Sequence, residues 1–144
     1  MFWGPLRSKE NPERSFRNAL GQLWYTDDGE TFLNPFLKEN WEYIAEIAIG
    51  AAKAGFKDIQ LDYVRFPLGF ETVSDDLVFD KGDYAHIKND DEARIAAITD
   101  FVAFIREKLQ PYGVHLSADI LAHAITESKI GGIGQKFVNI ADKL

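Results

Sequence analysis

Two carboxylates, Asp62 and Asp119, occupy the same place in two stretches with the same pattern. In Gly55-Phe56-Lys57-Asp58-Ile59-Gln60-Leu61-Asp62-Tyr63-Val64-Arg65-Phe66-Pro67, one face of an extended chain carries Ile59, Leu61 and Tyr63. The other face carries Gln60, Asp62 and Val64. In Gly113-Val114-His115-Leu116-Ser117-Ala118-Asp119-Ile120, the apolar face is Val114, Leu116, Ala118 and Ile120, and the polar face is His115, Ser117 and Asp119. A strand covered on both sides should read as a near-continuous apolar run. These two keep a polar face, with an acid near the C-terminal tip, where parallel α/β proteins bind ligands. If the strands are neighbours, their backbones lie about 4.8 Å apart. Two carboxyl groups at such tips would sit roughly 5–6 Å apart, near the spacing at which one carboxylate attacks an anomeric carbon while its partner serves as acid and base. That chemistry needs an environment that splits their pKa values, one charged and one protonated. The competing reading is structural: both acids tied to backbone N–H groups or to Arg65.

Around the pair, Gln60, Tyr63, Arg65 and Ser117 are the residues able to shape a sugar site. Arg65 sits at a strand exit, where it can orient Asp62, bind a substrate acid group or form a plain salt bridge. His86, His115 and His123 have no metal-ligand spacing among themselves, and no metal or cofactor is expected. His115 lies mid-strand and reads as a satisfied interior imidazole. Gly131-Gly132-Ile133-Gly134 follows no strand and lacks dinucleotide spacing, so it reads as loop punctuation. No Ser-His-Asp order with an elbow motif is visible.

These residues need a core to hold them. The chain has 144 residues, 46% of them hydrophobic and 13% aromatic, enough for one ordinary domain. The formal net charge is −7, which argues against nucleic acid or an anionic membrane as partner. Without cysteine there are no disulfides or thiolate metal sites. No apolar run approaches the roughly 18 residues of a membrane span. The opening Met1-Phe2-Trp3-Gly4-Pro5 does not read as a signal peptide. Localisation stays open; an extracellular or cell-envelope setting would suit a polysaccharide substrate.

In chain order, Pro12 to Leu20 reads as a short helix stopped by Gly21. Leu23 to Leu33 reads as a hairpin around Asp27-Asp28-Gly29. Asn34-Pro35 starts a helix running to about Ala54, with Gly55 as its stop and Trp41, Ile44, Ala48 and Ala51 or Ala52 inside. The acidic stretch from Phe66 to about Asn89 has no periodicity. Its Phe70, Phe79 and Tyr84 could stack on sugars or pin the loop to the body. Asp90 or Asp91 caps a helix from about Glu92 to Gln110, with Ile95, Ile98, Phe101, Val102, Ile105 and Leu109 as its stripe. Phe137 to Leu144 reads as a short helix.

Leu33-Asn34-Pro35 before a helix, together with the run from Gly55 to Pro67, resembles the putative glycoside hydrolase domain family of bacteria and archaea, within the glycosidase-like TIM barrels. Pro111 to Asp119 is similar to the family's run after its second barrel helix, and Gly132-Ile133-Gly134-Gln135 matches its Gly-Ile-Gly-Gln. The resemblance implies an α/β fold: a partial (β/α)8 TIM barrel, parallel strands alternating with helices, incomplete at both ends. A full barrel takes about 250 residues, so residues 1–144 would be one central segment, near strands four and five. Its missing partner would be the remainder of its own barrel, and open sheet edges and apolar helix faces would follow. Chitinase-like barrels place an acid two positions after the strand-tip Asp, where this chain has Val64. Amylase-like barrels place a nucleophile and an acid on the fourth and fifth strands. Asp62 and Asp119 suit those places, although Gln60 stands where that pattern has arginine. The implied function is a glycoside hydrolase acting on a polysaccharide. The alternatives are a non-catalytic carbohydrate-binding or scaffold barrel and a metal-dependent deacetylase-like site.

Overall fold

Two long helices carry the core because their apolar residues recur at steps of three and four. The structure is a computed structural model that describes residues 2–126 and 132–144. In chain order its elements are α1 (Pro5–Glu10), α2 (Lys38–Lys53), β1 (Asp58–Leu61), α3 (Phe70–Val73), α4 (Asp90–Leu109), β2 (His115–Ala118), α5 (His123–Thr126) and α6 (Phe137–Ala141). Helix α2 buries Asn40, Trp41, Ile44, Ala45 and Ala48; α4 buries Ala93, Ala97, Ile98, Phe101, Val102, Ile105 and Leu109. The small alanines let the helices approach, and Trp41 meets Phe101 and Phe104 at ring distances of 5.9 and 5.7 Å. Each large side chain so buried contributes about 1.5–3 kcal/mol. The Trp41 indole N–H donates to the Pro35 carbonyl (2.7 Å), so the buried ring leaves no polar atom unpaired.

Helix boundaries follow local chemistry. Asn34 does not cap α2, which begins at Lys38. Its buried side chain instead accepts from the Phe36 amide (3.1 Å) and donates to the Asp80 carbonyl (2.7 Å), tying the helix entrance to the following loop. Gly55, at φ 103°, stops the helix as its position suggests. Asn89, rather than Asp90 or Asp91, caps α4 by accepting from the Glu92 amide (3.0 Å).

The expected partial barrel is not what forms. Among the described residues there are six α-helices and one two-stranded sheet. β1 pairs β2 in parallel, with Asp58 opposite His115, Ile59 opposite Leu116, Gln60 opposite Ser117 and Leu61 opposite Ala118. Ile59, Leu61 and Leu116 are buried in the same core cluster as α2 and α4. Gln60, Asp62, His115, Ser117 and Asp119 are exposed. The polar face is therefore an open surface rather than a barrel interior, and His115 is a solvated side chain. One helix-covered face is enough to hold two short strands, and period-two patterning cannot tell a solvent face from a polar interior.

The amino-terminal region also differs. The Pro12–Leu20 helix reduces to a 3-10 turn at Pro12–Arg14, while Pro5 starts α1. The Asp27-Asp28-Gly29 turn forms, with the Thr26 amide donating to the Glu30 carbonyl. Its arms do not pair with each other: Leu23 bridges Arg17, Phe32 bridges Trp3 and Leu33 bridges Ser15. Residues 66–89 are short turns pinned by their aromatics, with Phe70 and Tyr84 buried and Phe79 packed on Phe16, Phe36 and Phe70. These rings serve the core and present no sugar platform. No helix of the described residues is long and apolar enough to cross a membrane.

Candidate functional site

β1 ends where its own side chain competes for the backbone. The Asp62 carboxylate accepts from the Tyr63 amide at 2.7 Å, and Tyr63 then takes φ 50°. A left-handed backbone is rare for a bulky residue and costs about 1–2 kcal/mol. Contacts on all sides hold it there. The Tyr63 carbonyl accepts from the Phe2 amide (3.3 Å), and its ring lies 5.9 Å from Trp3 and 6.3 Å from Phe32. The Arg65 guanidinium sits 4.9 Å over the same ring and donates to the Phe66 carbonyl at 3.1 Å. Burial pushes the Arg65 group down from its ordinary value, and Tyr63, Glu30 and Asp62 oppose that shift. Arginine stays charged through such a change, so a cation stands beside the Asp62 carboxylate.

Asp119 reaches the same region from β2. Its amide donates to the Leu61 carbonyl at 2.8 Å, which continues the ladder one step beyond the paired strands. In that register Asp62 and Asp119 each stand one residue past the last pair. A cleft of about 350 Å³ opens there, lined by Asp62, Tyr63, Arg65, Asp119, Leu121 and Gln135. Four sequence candidates thus share one cleft. Gln60 and Ser117 do not: they face each other two residues back from the acids, on the open side of the sheet.

Gln135 is the residue that sequence reasoning passed over. It is buried, and its side-chain nitrogen donates to the carbonyls of Val64 and Asp119, both at 3.3 Å. Its side-chain oxygen accepts from the Leu121 amide at 3.0 Å. One amide group therefore clamps both strand tips. The approach depends on Gly134 (φ 78°), where a Cβ would lie 2.7 Å from the Arg94 carbonyl oxygen. A Cβ on Gly132 would meet the Glu71 carboxylate at 2.5 Å. Gly134, read as loop punctuation, is instead a condition for seating Gln135, whereas the exposed Glu71 side chain could swing away from a Cβ at Gly132; Gly131 lies outside the described residues. Gly134 was the available signal, since glycine marks close backbone approach.

Among the described residues no group of three or more His, Cys, Asp or Glu could hold a metal ion. His86, His115 and His123 are exposed and line none of this cleft.

The chain belongs to the family described as "Putative glycosyl hydrolase domain", whose model matches residues 1–144. A comparison with curated proteins finds no match. Among solved structures, the chain is similar to a hypothetical protein from Ruminiclostridium thermocellum ATCC 27405, with 36% identity and a TM-score of 0.61. The match covers 80% of this chain and 52% of that one, so the chain spans about half the length of that relative.

Proposed function

We propose that this member of a glycosyl hydrolase family cleaves a polysaccharide through the Asp62–Asp119 pair. The observation that carries the reading is their register: two carboxylates, each one step beyond the pairing of adjacent parallel strands, lining one cleft. Strand spacing of about 4.8 Å suits the short carboxylate separation of a retaining site. In that reaction the Asp62 carboxylate attacks the anomeric carbon as the glycosidic C–O bond breaks. The Asp119 carboxyl gives its proton to the departing oxygen. Water then attacks the glycosyl ester, loses a proton to Asp119 and frees Asp62. Arg65 supplies a positive charge on the wall of the cleft. Tyr63 offers a ring edge to the sugar, and Gln60 and Ser117 would meet sugar units lying across the open sheet face.

A second reading, a non-catalytic carbohydrate-binding module, is favoured by one contact. Asp62 already accepts from the Tyr63 amide, as a purely structural acid would. Asparagine substitution separates the two. Screening the 144-residue chain against soluble glucans, xylans and amino-sugar polymers should give reducing-end release. Asp62→Asn should reduce that release to background while leaving binding within about threefold. Turnover untouched by Asp62→Asn removes the catalytic role; binding without any turnover supports the module.

A further inference from the structure

A second groove, of about 470 Å³, opens between the chain start and α2. Its lining includes Trp3, Leu6, Arg7, Tyr43 and Ile47. Trp3 is 45% exposed, Leu6 79% and Ile47 53%, so large apolar side chains are gathered there and open to water. Such a patch, unlike scattered apolar residues, marks a binding surface. The groove adjoins the acid cleft. Trp3 lines one, Tyr63 lines the other, and their rings lie 5.9 Å apart at an interplanar angle of 33°. Trp3 is also fixed in place, since it bridges Phe32 and the next amide, of Gly4, donates to the Thr31 carbonyl (3.3 Å). Arg7 lines the groove, lying over the Tyr43 ring at 4.7 Å while its Nη1 donates to the Glu10 carboxylate at 3.4 Å.

We propose that the Trp3 groove is an accessory sugar-binding subsite, in which further pyranose units of the chain reacting at Asp62 and Asp119 stack on the Trp3 indole. The inference rests on the glycan-cleaving reading of the acid cleft. Chemistry favours this ligand. A pyranose has an apolar C–H face for a rigid aromatic ring and a rim of hydroxyls for the Arg7 donors. The chain's net charge of −7 disfavours polyanions such as nucleic acid. Sugar units held here would supply binding remote from the reacting bond, so longer substrates would be preferred.

The test uses the 144-residue chain carrying Asp62→Asn, with cellohexaose, xylohexaose, maltohexaose and chitohexaose and the matching dimers as probes. Calorimetry should show at least one hexamer binding tenfold or more tightly than its dimer. Trp3→Ala should erase that gain, while Trp3→Phe, which keeps a stacking ring, should restore most of it. The melting curves of both variants report whether the chain is folded. The proposal is overturned if no hexamer outbinds its dimer, or if Trp3→Ala binds the hexamer as tightly as the parent. It is also overturned if chromatography shows the groove buried in a dimer. Failure here while Asp62→Asn still silences hydrolysis removes the subsite and spares the catalytic reading. Loss of hexamer affinity in Trp3→Ala, with hydrolysis indifferent to Asp62→Asn, does the reverse.

Discussion

Gln135 donates its side-chain amide to the Asp119 carbonyl at 3.3 Å, and the same nitrogen reaches the Val64 carbonyl. The two strand tips are therefore joined by a third segment lying well beyond both in sequence. Gln135→Ala leaves the buried Val64 carbonyl without its partner and also breaks the part-buried bonds to the Asp119 carbonyl and the Leu121 amide. Each such loss costs about 1–3 kcal/mol, so urea unfolding should show a drop of roughly 2 kcal/mol or more. Gln135→Glu should be worse, because its carboxylate would face the two carbonyls without a donor.

Glycine substitutions should separate backbone strain from steric clash. At Gly113 (φ 60°) a Cβ would meet nothing within 4 Å, so Gly113→Ala carries only the left-handed penalty, about 1–2 kcal/mol. Gly134→Ala adds a 2.7 Å approach to main-chain oxygen in α4, which cannot move without unwinding the helix. It should cost about 3 kcal/mol or more. Thermal melts of the two variants, compared under one condition, would show the difference.

Alkaline pH should weaken the fold through Tyr84. Burial, then a hydrogen bond to Asp100 (2.8 Å), pushes the Tyr84 phenol far above its ordinary value. The folded chain keeps that proton after the unfolded chain has lost its own near pH 10. The contribution is thus complete below about pH 10 and fades as the pH climbs above it. Unfolding free energies between about pH 9 and 12 should fall for the parent and fall less steeply for Tyr84→Phe. Phenolate absorbance should show one of the five tyrosines resisting ionisation until the chain unfolds.

Overpacking the seam between the long helices should be costly. Ala97 is fully buried on the face of α4 that turns inward. Ala97→Leu inserts three carbons where no space is left and should destabilise by about 1–3 kcal/mol. Guanidinium denaturation of this variant beside Ile95→Ala, on the half-buried flank, would place the seam.

What the sequence made legible was periodic or punctuated. The stripe Ile95, Ile98, Phe101, Val102, Ile105 and Leu109 located α4, all of it buried except the half-buried Ile95, and Gly55 located the end of α2. The parallel pairing of the two acid-bearing strands followed from their matching patterns. Partner choice was not legible. The Asp-Gly turn looked like a hairpin, yet its arms found Arg17, Trp3 and Ser15, because long-range packing outweighs a local turn. The partial barrel came from the family resemblance, and the polar alternation of the two strands could not test it, because period two does not distinguish an interior from a solvent face. In the site, the acids were readable by type and position. Gln135 was not, since nothing local marks a lone amide that completes three distant hydrogen bonds.

The twist at Tyr63 has a bearing on everything upstream of it. A tyrosine wound into a glycine's conformation stays there only while Phe2 holds its carbonyl and Phe32 and Trp3 brace its ring. Phe2 and Trp3 thus act as a latch on the turn that carries Asp62. Trimming them would let position 63 spring back to ordinary geometry, and Asp62 would swing with it.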